Sequence, residues 1–445
     1  MVTGACASLH LVTDIKTHLL RRIGTLGAFG LLACMPAGAQ RPVTRADAES
    51  AALAAGSRVA LARADTAGAM ARLLSARALP NPTFAAVYSK ATPQKHLTLD
   101  LPVFDALWTR RLRVGQASAS VRASRLLFAS ERTAALVEVD TTYTRALAAD
   151  ARFRLSRQTA RDADSLRKMT VMRRDAGDAS DLDVDLATVV SGQQLNVTTG
   201  DSLSYMSALL TVQTMMGLPA DSVAIVLVDS LVLAPLDTVI ARRTLDSGAM
   251  IIAVPPSASG VATPSTSVAT TASVRAAEAT LQAAELGIAL QKRNTFVLPS
   301  LNVGVEFGDP SGGEPGYLPL IGFSVPLPIF NRNQGPVAEA RAERDKAKAQ
   351  LSAARLEARQ RLIEGVRERE QLIAKIARDR DLVVRAQRVA DKSLTAYREG
   401  ASALPAVLEA RRSAREVLGQ YIDDLAALLT VNTELRALTQ TVPAP

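Results

Sequence analysis

Two stretches of the chain alternate apolar and polar residues with a period of two. Leu301, Val303, Val305 and Phe307 alternate with Asn302, Gly304 and Glu306. A strand over 300–308 therefore presents one apolar and one polar side. Over 95–103, Leu97, Leu99, Leu101 and Val103 share one side, and His96, Thr98 and Asp100 the other. Partner strands at 83–90 and 317–327 complete two predicted hairpins, 83–103 and 300–327.

Elsewhere the apolar positions follow a helical period. Leu61, Met70, Leu73 and Leu74 mark a helix over 45–79, ended by Leu79-Pro80-Asn81-Pro82. No proline occurs between Val103 and Leu218. A single helix from Asp105 to about Arg174 is predicted, ~105 Å long at ~1.5 Å per residue. Gly177 to Ser180 breaks it, and Asp181 to about Met216 returns as a second helix, so that 105–218 forms a helical hairpin. Residues 220–272 differ: Val223–Leu233 is a β-branched run, and Pro255–Thr271 reads as a linker.

The pattern then restarts. A helix is predicted over Val274–Arg293, followed by the strand pair. Pro336, suited to a first helical turn, opens a proline-free run to Leu404. The tip Gly400–Pro405 leads to a returning helix over 406–438, closing a hairpin over 336–438. Leu362, Val366, Ile373, Ile376, Val383, Ala390 and Leu394 are spaced 4, 7, 3, 7, 7 and 4 residues apart. These are heptad steps, the mark of a narrow coiled-coil seam. Leu79-Pro80 and Leu298-Pro299 are 219 residues apart, and Gly177 and Gly400 are 223 apart. Two landmarks that agree this closely indicate a duplication, with repeats at 40–272 and 273–445. The expected fold class is mainly α with a small β part, in two tandem repeats.

Composition narrows the function. Of 445 residues, 48% are apolar and only 4% aromatic, a balance that suits close-packed helices. The net charge of +9 comes from 52 basic and 43 acidic residues, interleaved along the helices. This pattern describes solvated helix faces, and no nucleic-acid partner is expected. The two cysteines, Cys6 and Cys34, and two of three histidines, His10 and His18, precede residue 40. Only His96 remains, on a polar strand face, where it is not a metal ligand. Zinc sites and histidine catalysis are thereby excluded, no phosphate-binding glycine loop is present, and neither an enzyme nor a cofactor is expected. Residues 1–39 read as an export signal: Arg21-Arg22, an apolar stretch over 23–32, and Ala37-Gly38-Ala39 before the cleavage point. Leu31-Leu32-Ala33-Cys34 also resembles a lipoprotein box, so lipidation at Cys34 and cleavage after Ala39 are alternatives.

No later stretch reaches the roughly 18 uninterrupted apolar residues of a membrane helix. A membrane crossing would have to be a β-barrel, and strands of ~10 residues with alternating faces have the required length. Four strands cannot close, and open edges are not tolerated in lipid, so several copies would share one barrel. The alternative is a soluble periplasmic coiled-coil protein, adaptor-like or structural.

The run Gly322-Phe323-Ser324-Val325-Pro326-Leu327-Pro328-Ile329-Phe330-Asn331-Arg332-Asn333-Gln334-Gly335 closely resembles the TolC-type outer-membrane efflux protein family, in particular its metal and multidrug branch. A looser counterpart in the first repeat is Leu101-Pro102-Val103-Phe104-Asp105 with Arg110-Arg111. The resemblance extends over about 45–440 and implies a homotrimer in the outer membrane. Three chains would share a twelve-stranded transmembrane barrel, prolonged into the periplasm by an α-barrel of long coiled-coil helices. It implies a passive exit duct of a tripartite efflux system, working with a periplasmic adaptor and an inner-membrane pump. The linker near Pro255 departs from the family, which has more helix there.

Several residues follow as candidates. Leu301, Val303, Val305 and Phe307 would face lipid. Phe104, Trp108, Tyr317 and Phe330 flank the strands, where rings favour the lipid–water interface. Asp175, Asp178, Asp181 and Asp185, with Asp183, cluster at the first tip. Repeated by symmetry they would form a negative constriction; the alternative is helix capping. The family places its constriction at the other hairpin, whose counterpart here, 399–405, carries little acid. The tips resemble the family's adaptor contacts, which places Gly177 and Ser180 in the first repeat and Tyr397, Gly400 and Ser402 in the second.

Overall fold

A computed structural model of the chain describes residues 41–439, apart from 92, 220, 222–223, 230, 232–270, 296–298, 309–315 and 326. All described residues belong to the unit Gln40–Pro445. The signal segment 1–39 with Cys34, the linker 255–271 up to residue 270, and Leu298 and Pro326 lie outside them.

The first repeat begins with a short strand, β1 (Arg41–Val43). Thr44 then caps α1 (Arg45–Ala55) through a capping box with Asp47. The single helix expected over 45–79 is in fact two, because Gly56 interrupts it in an extended conformation and α2 (Ser57–Arg77) starts afresh. A Cβ at Gly56 would lie 2.3 Å from the Ala52 carbonyl oxygen. Strands β2 (Thr83–Tyr88) and β3 (Lys95–Leu101) follow. β3 stops two residues short of the expected Val103, which instead opens a one-and-a-half-turn helix, α3 (Val103–Trp108). α4 (Arg110–Asp175) runs for 66 residues, about 100 Å at the helical rise. The helix expected over 105–174 is thus interrupted at Thr109. The Thr109 hydroxyl donates to the Asp105 carboxylate. α5 (Asp181–Met215) returns antiparallel to α4, and β4 (Ile225–Leu227) lies within the expected β-branched run.

The second repeat consists of α6 (Ala272–Arg293), β5 (Ser300–Phe307), β6 (Leu318–Ser324), α7 (Gln334–Arg398) and α8 (Leu404–Thr439). Both halves show the same order: short helix, β-hairpin, a helix of more than sixty residues, and a returning helix about half as long. α4 is the spine, packing against α2, α5, α6 and α8, while α7 packs against α6 and α8.

Small residues allow the close approach of these helices. Ala123 and Leu126 of α4 meet Ala276 and Ala279 of α6, and Val274 of α6 meets Leu351 and Ala358 of α7. In the seam predicted on α7, Leu362, Val383 and Ala390 are buried. Midway along α4, Val139, Tyr143 and Leu147 enter the largest cluster with Val43, Ile225, Val212 and Ile422. Here β1 pairs in parallel with β4, Arg41 opposite Ile225 and Val43 opposite Leu227. β1 was not expected from the sequence.

Candidate functional site

Four strands form one antiparallel sheet in the order β2-β3-β5-β6. The register sets its two faces, because residues directly opposite across a ladder point the same way. Leu99 lies opposite Phe84 and Val303, and Val303 opposite Ile321. Leu97 lies opposite Ala86 and Val305, and Leu301 opposite Leu101 and Phe323. Leu301, Val303, Val305 and Phe307 therefore share one apolar face that crosses all four strands. Phe84, Ile321 and Phe323 on it are each more than 60% exposed. The opposite face carries Thr83, Asp100 and Asn302 in one row and His96 and Glu306 in another. His96 Nδ1 and Glu306 Oε1 are 2.9 Å apart. Among the described residues β2 and β6 have neighbours on one side only, leaving two open edges.

Aromatic side chains sit at both ends of the strands. Phe307 and Tyr317 have ring centroids 5.3 Å apart at one end. At the other, the Arg293 guanidinium lies 3.8 Å over the Trp108 ring, and Phe330 is 94% exposed. Phe104 is half-buried in α3.

The joint between sheet and helices uses the polar residues that follow the strands. Arg110 and Arg113 stand at the N-terminus of α4, where the macrodipole disfavours cations. Their charge is used elsewhere: Arg113 donates to the carbonyls of Ala76 (3.1 Å) and Ala78 (3.0 Å), and Arg110 to that of Arg77 (3.1 Å). The open C-terminus of α2 is capped in this way. Arg113 also grips Asp105 with two bonds of 2.9 Å. Burial opposes ionisation of Asp105, but the bonds from Arg113 and Thr109 outweigh it and hold the carboxyl below the usual range. In the second repeat, Asn333 Nδ2 donates to the Gln291 carbonyl near the end of α6 at 2.7 Å. Asn333 adopts φ 58°, a left-handed conformation that asparagine tolerates. Asn331 Oδ1 accepts from the Asn333 amide, and Gln334 Oε1 from the Arg332 amide. The sequence singles out Asn331–Gln334 and Arg110 but not Arg113, whose carbonyl partners Ala76 and Ala78 lie some 35 residues earlier. A cation in the first turn of a helix was the available signal.

The two helical hairpins end in the same motif. Gly177 (φ 86°) and Gly400 (φ 78°) take the left-handed conformation after the last helical turn. The Asp178 amide reaches the Arg173 carbonyl at 2.8 Å and the Ala401 amide the Ala396 carbonyl at 2.8 Å. These are Schellman closures, for which glycine avoids the Cβ penalty. Ser180 caps α5 and Asp183 completes the box. Asp175, Asp178, Asp181 and Asp185 are all exposed. Arg174 engages Asp175 at 2.7 Å and Asp181 at 3.8 Å. A cleft of about 350 Å³ separates the tips, lined by Arg173, Asp178, Asp183, Tyr397, Gly400 and Ser402. Tyr397 differs from the other tip residues because its side chain is buried. Its hydroxyl lies 3.2 Å from Thr170 Oγ1, its ring lies 4.7 Å under the Arg173 guanidinium, and its carbonyl accepts from Arg173.

Two further features escaped the sequence reading. Around the midpoint of α4, Arg45 pairs with Asp140, which also accepts from Thr433 of α8. The Tyr143 hydroxyl lies 2.8 Å from Asp229 and 3.1 Å from the Val43 carbonyl. Burial, reinforced by Asp229, pushes the Tyr143 phenol well above its usual range. On α5, Leu182, Val189, Leu203 and Leu210 are all exposed. They fall on a heptad step whose middle position is Asn196.

Sheet, joints and paired hairpins define a protein in which a half-apolar sheet is continued by long helices. Residues 263–440 match the profile of the outer membrane efflux protein family. No curated protein sequence matches the chain. Among solved structures, a membrane protein from Pseudomonas aeruginosa superposes with TM-score 0.67 at 19% identity, over 88% of this chain and 90% of its own. The outer membrane protein VceC from Vibrio cholerae gives TM-score 0.68 at 16% identity, over 89% and 96%. The Campylobacter jejuni CmeC outer membrane channel gives 0.69 at 13% identity, over 89% and 85%. The second repeat is thus similar to the outer membrane efflux protein family, and the chain as a whole has the fold of these solved structures.

Proposed function

We propose that this protein is the outer-membrane exit duct of a tripartite efflux system, conducting substrates passively from a periplasmic adaptor and inner-membrane pump to the exterior. The observation that carries this reading is the four-stranded sheet with one apolar face, one polar face and two open edges. In lipid, unpaired strand edges are intolerable, and closure onto further copies removes them. Three copies give the twelve strands expected of the family. Leu301, Val303, Val305 and Phe307 then face lipid, and His96, Asp100, Asn302 and Glu306 face the lumen. No helix among the described residues is long and apolar enough to cross a membrane, which leaves the sheet as the described element suited to that task.

The exposed stripe Leu182, Val189, Asn196, Leu203 and Leu210 supports the homotrimer, since it is a mostly apolar heptad-spaced line that no described residue of its own chain covers. Gly177, Ser180, Gly400 and Ser402 form the adaptor contact at the periplasmic tips, and Tyr397 fixes the second tip from behind. Asp175, Asp178, Asp181 and Asp185, all exposed, contribute a negative constriction. Cleavage after Ala39 or lipidation of Cys34 delivers the mature chain. The soluble coiled-coil reading is less favoured, because it leaves the exposed apolar face of the sheet without a role.

The test is the oligomer. Outer-membrane fractions extracted with detergent should give a species that migrates as a trimer and collapses to monomer on heating. A monodisperse monomer recovered from a detergent-free periplasmic extract would overturn the duct.

A further inference from the structure

The contact between α7 and α8 contains two buried carboxyl groups. Asp379 lies one helical turn from both Ile376 and Val383 on the heptad stripe, and it is only 8% exposed. Asp424, on α8, is 5% exposed. Asp424 Oδ1 accepts from Lys375 Nζ at 2.8 Å and from Gln420 Nε2 at 3.0 Å. The Oδ2 atoms of both aspartates are buried and find no donor among the described residues. Lys375, which reaches Asp424 across the seam, stands one helical turn before Asp379, so both carboxyls occupy the same stretch of the α7–α8 contact.

Lys375 and Arg378 both favour an ionised Asp379, but burial and the neighbouring Asp424 carboxyl outweigh them. Lys375 is committed to Asp424. Arg378 and Arg380 on α7 are exposed, and Arg152, reaching from α4, is paired with the neighbouring Asp423. Tyr421, on α8, has its phenol pushed up by burial, against the Arg380 charge. Two ionised carboxylates are acceptors only and repel at short range in a poorly solvated seam. One proton between them resolves both problems, because an acid donates where a carboxylate accepts.

We propose that Asp379 and Asp424 form a proton-binding site that clasps α7 to α8, with the Asp379 acid donating to the Asp424 carboxylate. Burial, together with the Asp424 charge, holds Asp379 above the usual carboxylate range. Burial also works against ionisation of Asp424, but the bonds from Lys375, Asp379 and Gln420 outweigh it and hold that group below the range. The proton therefore resides on Asp379, and the pair titrates as a unit. Because its folded-state pKa is raised, Asp379 strengthens the seam at low pH, and that contribution is lost as pH rises through the folded value. Beyond that point two like charges face each other inside the hairpin, and the clasp loosens. This site depends on helix packing alone and stands whether or not the sheet spans a membrane.

The experiment is an infrared pH titration of the full chain in detergent, with isotope-labelled aspartate carboxyls to separate them from glutamate. Just above the ordinary aspartate range, a protonated-aspartate carbonyl band should persist and then vanish reversibly as pH is raised further. Asp379→Asn should abolish the band. Asp424→Asn should also abolish it, since its amide can donate to an ionised Asp379, so either variant suffices if the other fails to fold. Absence of the band in the unmodified chain, or its survival in a folded variant, would overturn the proposal.

Discussion

The guanidinium of Arg173, near the end of the first helical hairpin, lies 4.7 Å over the ring of Tyr397 at the end of the second. The same arginine donates to the Tyr397 carbonyl. This pair, with Thr170, links the two tips of one chain beside the apolar cluster of Leu166, Ala187, Leu404 and Val407. A partly buried cation–π contact is worth about 1–2 kcal/mol, and the carbonyl bond adds about 1–2 kcal/mol more. Arg173→Ala should therefore let the tips separate and raise the ionic conductance of reconstituted single channels. Tyr397→Phe, which loses only the Thr170 contact, should have a smaller effect. Equal conductance in all three proteins would rule out a holding role for the pair.

The joint at the foot of the first repeat should be sensitive to acid. Arg113→Ala leaves Asp105 buried without its cation and uncaps α2, at a cost of about 3 kcal/mol by analogy with broken buried pairs. Asp105 has a lowered pKa, so its contribution is present above the ordinary carboxylate pKa and is lost as pH falls through the folded value. Thermal melts across the acid range should show this loss in the parent chain and little of it in the variant. A steep acid limb retained by Arg113→Ala would assign it to other groups.

Opposite faces of one strand should respond oppositely to charge. Val303→Lys and Val305→Lys each place an ammonium on the apolar face, costing about 2–4 kcal/mol near a bilayer midplane. Asn302→Lys, one residue away, places it on the polar face and should be tolerated. The measurement is the amount of heat-sensitive oligomer recovered from membranes, and indistinguishable yields for the three variants would contradict a lipid-facing role.

The stripe on α5 makes a separate prediction. Burying a leucine stabilises by about 1.5–3 kcal/mol, repeated at every copy of the interface. Leu203→Asp should dissociate the oligomer in detergent while helix content by circular dichroism stays near that of the parent. An intact oligomer would place the subunit contacts elsewhere.

The strands and hairpins were legible because each carries its own period: Val303 and Val305 alternate with Gly304, and Leu362 to Leu394 keeps a heptad step. Features that depend on distant partners were not. Nothing in Arg41–Val43 announces a strand, because three residues are too few to show a pattern and the partner, Ile225–Leu227, lies about 180 residues on. Tyr397 was read as an outward contact because it sits beside a turn, and only the approach of α4 with Thr170 and Arg173 buries it. Likewise Gly56 gave no sign in the helical spacing of α1 and α2; the break is a matter of backbone geometry.

The unpaired edges of β2 and β6 also bear on biogenesis. A single copy holds an incomplete sheet whose outer amides have nowhere to bond in lipid. On the proposed shared barrel, membrane entry is not something one chain completes before meeting others; encounter and insertion become a single event. The yield of inserted protein should rise more steeply than in proportion to the amount of chain exported. A cell that makes too little would accumulate orphan subunits with an apolar sheet face exposed to water, and these are natural clients for holding chaperones and proteases.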